Sequence, residues 1–131
     1  MTPEADGDGT RVLTGFLHAW SAAIAARDLQ TLAALFDDDA LFLATAPTPL
    51  RGCAQIRAYY EQAPAGLRVQ RATVLCATRP LETLVHGIAE VAFEAPGGAA
   101  LQGRLGLSLV LRPPGWRLSA YQLTARPAAS A

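Results

Sequence analysis

Two stretches of alternating side chains, Thr83 to Glu94 and Leu101 to Arg112, flank the turn signal Pro96-Gly97-Gly98 and read as a hairpin. Pairing Glu94 with Leu101 or its neighbour sets Glu90 across from Arg104 and His86 across from Ser108. One face then gathers His86, Glu90, Arg104 and Ser108 around Gly106, which has no side chain. The other carries Val85, Ala89, Val91, Leu105, Leu107 and Leu109 and is wholly apolar. An imidazole is suited to general acid–base work near neutrality, and a guanidinium fork to a bidentate hold on a carboxylate. Two arrangements can follow. If helices cover the apolar face, Glu90 and Arg104 are an exposed cross-strand pair contributing roughly 0–1 kcal/mol. If helices cover the mixed face, they enclose a polar-lined pocket, and the apolar face needs a second chain to cover it.

The elements that would position these residues lie on either side of the hairpin. From Val12 to Ala26, Leu13, Phe16, Leu17, Trp20 and Ile24 recur at helical spacing, with His18 off the stripe. Asp28 caps a second helix carrying Leu29, Leu32, Ala33 and Phe36. The run Asp37-Asp38-Asp39 reads as a solvated turn before a short strand from Ala40 to Ala44. Pro47 and Pro49 then enforce an extended loop, and Gly52 opens a third helix bearing Ile56, Tyr59 and Tyr60 that stops at Pro64. Further strands are expected over Val69 to Thr78 and Trp116 to Ala125, so that four strands form an antiparallel meander. Tyr121 and Gln122 are neighbours in the last strand, and a one-residue slip exchanges which of them faces inward.

The chain has 131 residues, enough for one core. We expect a single domain over 11–127 between frayed tails at 1–10 and 128–131. Eleven Lys and Arg, all of them Arg, balance eleven acids with no basic stripe, which argues against nucleic acid or an anionic membrane as partner. Acidic or basic residues interrupt every apolar run, and the N-terminus lacks a secretory pattern, so a cytoplasmic location is expected. Cys53 and Cys76 lack metal-ligand spacing and read as small buried hydrophobes; neither a metal nor a cofactor is expected.

Several pieces, in order, resemble the nuclear transport factor 2-like superfamily, in its SnoaL-like and kinase-association-domain-like branch. They are Trp20 with Arg27-Asp28, Leu35-Phe36-Asp37-Asp38-Asp39-Ala40, Arg51-Gly52 with Ile56 and Tyr59-Tyr60, Gly103-Arg104-Leu105, and Gly115-Trp116-Arg117-Leu118 ending at Pro127. The resemblance implies an α+β fold in which a cone-like curved antiparallel sheet packs around three N-terminal helices. It also implies an internal pocket and a homodimer through the sheet face, and so favours the second arrangement. The chain departs from the ketosteroid isomerases of this fold, whose donor, base and second acid fall on Trp20, on Ala44 or Thr45, and on Ser108. It also lacks the paired His that closes the last strand in a bacterial subgroup, where it has Tyr121-Gln122-Leu123-Thr124; the Arg of the penultimate strand is kept as Arg104.

These readings converge on a small-molecule pocket. His86 and Tyr60 are the candidate catalytic residues, as base and phenolic donor. Arg104 is the anion anchor, with Glu90, Ser108, Thr45 and Gln122 as polar contacts and Trp20, Phe16 and Phe42 as apolar walls. The ligand expected is a partly apolar carboxylate or carbonyl compound, and the chemistry open to the site is isomerase, cyclase or dehydratase-type proton transfer. The alternative is a noncatalytic association or ligand-sensing dimerisation module.

Overall fold

A computed structural model describes residues 3–45 and 47–126, with side chains from residue 8 onward. Helix α1 spans Pro3–Ala26 and buries the stripe Leu13, Phe16, Leu17, Trp20 and Ile24. The frayed tail expected over 1–10 is thus helical from Pro3. Docking overrides the poor helix propensity of its glycines: a Cβ on Gly9 would stand 3.3 Å from the Thr78 carbonyl carbon, and Asp8 pairs with Arg79. The tail expected at 128–131 lies outside the described residues.

Helix α2, Leu29–Ala34, starts where the Asp28 carboxylate accepts from the Thr31 amide at 3.1 Å and the Thr31 hydroxyl at 2.6 Å. Arg27, at φ +50°, makes the turn between α1 and α2, and its guanidinium donates to the carbonyls of Glu61 and Ala63. That fastens the helical hairpin to the end of α3, Gly52–Gln62, and fixes where Tyr59 and Tyr60 stand.

The strands are β1 Phe36–Leu43, β2 Leu50–Arg51, β3 Arg68–Leu81, β4 Leu84–Glu94, β5 Ala100–Arg112 and β6 Gly115–Ala125. They form one curved, unclosed sheet in the order β2-β1-β6-β5-β4-β3. The α+β architecture and three helices match expectation, with one amendment: β1 runs parallel to β6, so the sheet is mixed. Glu90 faces Arg104 and His86 faces Ser108 in the β4–β5 ladder, as the turn signal predicted.

The acidic run is strand, not turn. Asp37 opens onto the end of β5, where the Arg112 guanidinium binds it through two bonds of 3.0 and 3.2 Å and holds its carboxyl below the usual range. A depressed carboxyl contributes stability above its unfolded pKa, about 4, and loses it as pH falls through the folded value. Asp37→Asn is therefore expected to destabilise the protein at pH 7, by a difference that shrinks as pH falls below about 4, as read by denaturant melts across that range. The effect is small because Arg112 is mostly exposed.

The two hairpin faces lie opposite to the arrangement that the resemblance favoured. Val85, Ala89, Val91, Leu105, Leu107 and Leu109 are buried against the helices within one chain, while His86 and Arg104 are exposed. A Cβ on Gly87 would fall 2.2 Å from Leu13 Cδ2, so α1 lies directly on this face. The reason is energetic: burying the apolar row gains about 25 cal/mol per Å², whereas burying Glu90, Arg104 and His86 would require desolvating charge. The apolar face consequently needs no second subunit to cover it. Gly103 lies on the same side, and an added Cβ would meet the Thr124 carbonyl oxygen at 2.8 Å. Gly103→Ala is expected to cost about 1–3 kcal/mol by overpacking. Gly106→Ala, with nothing within 4 Å, should be close to neutral in the same thermal melts. No helix among the described residues is long and apolar enough to cross a membrane.

Candidate functional site

Helix α3 presents Tyr59 and Tyr60 side by side, with ring centroids 5.3 Å apart, toward β1 and β6. Tyr60 is buried and stacks on Phe36, while Phe42 of β1 stacks on Tyr121 of β6 at 4.3 Å and 13°. Trp20 of α1 reaches in from the other side. Its indole meets Phe93 edge-on at 5.7 Å, and its Nε1–H donates to the Tyr60 hydroxyl at 3.1 Å. Two helices and three strands thus meet at one aromatic cluster.

Beside this cluster opens a cavity of about 380 Å³, lined by Thr45, Tyr59, Tyr60, Gln62, Phe93 and Tyr121 and bounded by the Pro64–Leu67 loop and the start of β5. No charged side chain lines it among the described residues. Its polar groups are hydroxyls and one amide, and the Thr45 and Tyr59 hydroxyls share a bond of 3.1 Å. Tyr60 and Tyr121, both buried, line the cavity together. Indole N–H only donates, so one lone pair of Tyr60 is taken. Tyr60 therefore accepts there and keeps its own proton to donate, and Tyr121 carries a second phenolic proton at the same cavity wall. Burial pushes both phenols well above their ordinary range, so each remains a neutral donor. The arrangement can bind and polarise an acceptor oxygen. Its described lining holds no side chain suited to taking a proton near neutrality.

Of the expected site residues, Tyr60 and Thr45 line the cavity, and Trp20 acts behind Tyr60. Phe16 and Phe42 are buried in the core and do not line it. His86, Glu90, Arg104, Ser108 and Gln122 stand on the outer face of the sheet. His86 and Tyr60 are on opposite sides of the sheet and cannot act as an acid–base pair. Arg104 is half exposed and 3.7 Å from Glu90, so it does not anchor a ligand in the cavity. The inward residue of the last strand is Tyr121, not Gln122. Ser119 is an extra residue between the pairs Leu109–Leu118 and Ser108–Ala120, and this bulge shifts the alternation by one. Tyr59 and Phe93 complete the lining; adjacency to Tyr60 and the start of the hairpin turn were their only sequence signals. Cys76 is exposed rather than buried, and Cys53, half buried, donates to the Phe36 carbonyl. No group of three or more metal-ligating side chains occurs among the described residues.

Residues 17–105 match the family model described as a SnoaL-like domain. The chain belongs to this family. Solved structures agree on the fold of this SnoaL-like domain. A candidate scytalone dehydratase from Novosphingobium aromaticivorans superimposes with a TM-score of 0.78 at 16% identity, covering 89% of this chain and 83% of that one. A candidate calcium/calmodulin-dependent protein kinase type II association domain from Thiobacillus denitrificans gives 0.73 at 18% identity, covering 86% and 93%. A domain of unknown function with a cystatin-like fold from Nostoc punctiforme gives 0.78 at 18%, covering 98% and 82%. Identities this low establish the fold alone. A search of curated proteins found no significant match.

Proposed function

We propose that this SnoaL-like domain binds a small, neutral, ring-bearing molecule in the interior cavity and hydrogen-bonds its carbonyl oxygen through the Tyr60–Tyr121 pair. The observation that carries this reading is the pair of phenolic donors, with Tyr60 accepting from Trp20 and so left its own proton to give, at a cavity whose described lining has no charge. A carboxylate would meet no counter-charge there and would lose its hydration, so the carbonyl member of the expected ligand class is favoured. Any chemistry at this site is polarisation of the bound carbonyl by a neutral donor. Dehydratase-type activity in a relative of the same fold is compatible with such polarisation but does not carry over without a base.

The test is a paired titration with acetophenone and benzoate, followed by amide NMR. Acetophenone is expected to shift signals around Leu67, Ala95 and Leu123, with benzoate leaving them in place. Benzoate binding there as tightly as the ketone would overturn the reading, as would no response to either.

A second reading, association with another copy through the outer sheet face around β3, is favoured by Leu75 and Leu81, which are 48% and 61% exposed on that edge strand. Sedimentation over a range of concentrations tests it; a monomer throughout would rule it out.

A further inference from the structure

The outer face of the sheet holds a second concavity, away from the β3 edge. A groove of about 430 Å³ runs across β4, β5, β6 and β1, with Gly106 in its floor and Leu41, Leu43 and Pro49 along one side. The ladder registers set the opposite side. In one row His86 faces Ser108, and Nδ1 and Oγ are 2.8 Å apart; in the next, Ile88, Gly106 and Gln122 lie abreast; in the third, Glu90 faces Arg104. Gly106 therefore lies between the hydroxyl–imidazole pair, which lines the groove, and the Arg104 guanidinium, which stands one row beyond its lining. Arg104 and Ser108 lie four residues apart on one face of β5, about 13 Å at strand rise. A side chain at 106 would fill the lane between them. Nothing lies within 4 Å of where its Cβ would stand, so the absence of a side chain is not required by packing.

The charges favour an anion at the Arg104 end. Glu90 takes its closer bond from Arg126, at 2.9 Å, and its contact with Arg104 is longer, at 3.7 Å. The Arg104 fork thus retains donors for a carboxylate. Ile88, 44% exposed, and the walls Leu41 and Leu43 supply the apolar contact that a ring or short acyl chain needs beside its charged end.

We propose that this outer groove is a second ligand site, taking a small amphipathic carboxylate. Its apolar body lies over Gly106 against Leu43 with Ile88 beside it, its carboxylate reaches past the groove to Arg104, and its far end meets Gln122 or the His86–Ser108 pair. The site is separate from the tyrosine cavity, which lies on the other side of the sheet and selects for an uncharged ligand.

The experiment is an amide NMR titration of the full chain with 3-phenylpropanoate and, in parallel, 3-phenylpropanamide. The acid is expected to move the signals of Gly106, Ser108 and Gln122, and the amide to leave them unchanged. Arg104→Ala should weaken the acid at least about tenfold, the scale of a lost charge-assisted hydrogen bond. Gly106→Val fills the lane with a strand-favouring side chain, leaves Arg104 in place and should abolish the response while the spectrum stays folded. Equal binding of acid and amide overturns the proposal. So do an undiminished response in Gly106→Val, acid-induced shifts confined to Leu67, Ala95 and Leu123, and silence of both regions. Because the cavity and groove signals are distinct, failure here leaves the acetophenone test standing, and the reverse.

Discussion

Trp20→Ala is expected to remove about 3–5 kcal/mol of stability, the range for truncating a fully buried aromatic. Trp20 is 1% exposed and ties α1 to three other elements: its ring meets Phe93 edge-on and Tyr121 at a tilt, and its N–H bonds Tyr60. The cavity left behind would adjoin the one already present, so the surrounding side chains have no close-packed wall to relax against. The loss is a large share of a typical domain's stability and corresponds to a fall in Tm of roughly 10–20 °C. Trp20→Phe separates the two contributions in part, since it keeps a ring in place while deleting the donor and the second ring of the indole. It should cost about 1–3 kcal/mol for the buried hydroxyl left short of a partner. Denaturant and thermal melts of both variants check this, and a Trp20→Ala protein within 1 kcal/mol of the parent would show that the cluster is not the centre of the core.

The hairpin from Leu84 to Arg112 was legible because two local signals agreed: a Pro-Gly-Gly turn and strict alternation on both sides, which together leave few registers. The Asp28 cap was legible for the same local reason. Period-two alternation divides a strand into two faces but does not say which the helices cover. That choice depends on transfer energies summed over the whole sheet, and these favour burying the leucine row over burying Glu90 and Arg104. The resemblance to pocket proteins pointed the other way, since it implies a pocket without saying which side chains wall it. Tyr121 was obscured for a different reason. The extra residue Ser119 is invisible to any count by twos from Leu118, and only the pairing with β5 exposes it. The cavity itself is made by the close of α3 and the mouth of the β4–β5 turn, elements far apart in the chain that no spacing rule joins. What the sequence did bring together, His86, Ser108, Glu90 and Arg104 around Gly106, is a real neighbourhood on the opposite side of the sheet.

Tyr121→Phe is the sharper test of the interior site, because it changes one oxygen without altering the aromatic stack. The ring is 4% exposed and stacked on Phe42, so the variant should retain its packing. Without the Tyr121 hydroxyl, Tyr60 is the one phenol of the pair left, and Trp20 still donates to it. Two outcomes distinguish which phenol faces the ligand. If Tyr121 is the terminal donor, acetophenone affinity falls by roughly ten- to a hundredfold, as expected where a buried donor to the ligand is lost. Tyr60→Phe would then act more weakly, through the orientation of Tyr121. If Tyr60 is the terminal donor, the ranking reverses. In the parent protein, affinity should be flat between pH 6 and 9, because burial holds both phenols protonated well beyond that range. Calorimetric titration of the three proteins against the ketone gives all of these values. Unchanged affinity in both variants, or binding by the parent that rises or falls through neutral pH, would mean that some group other than the tyrosine pair holds the ligand.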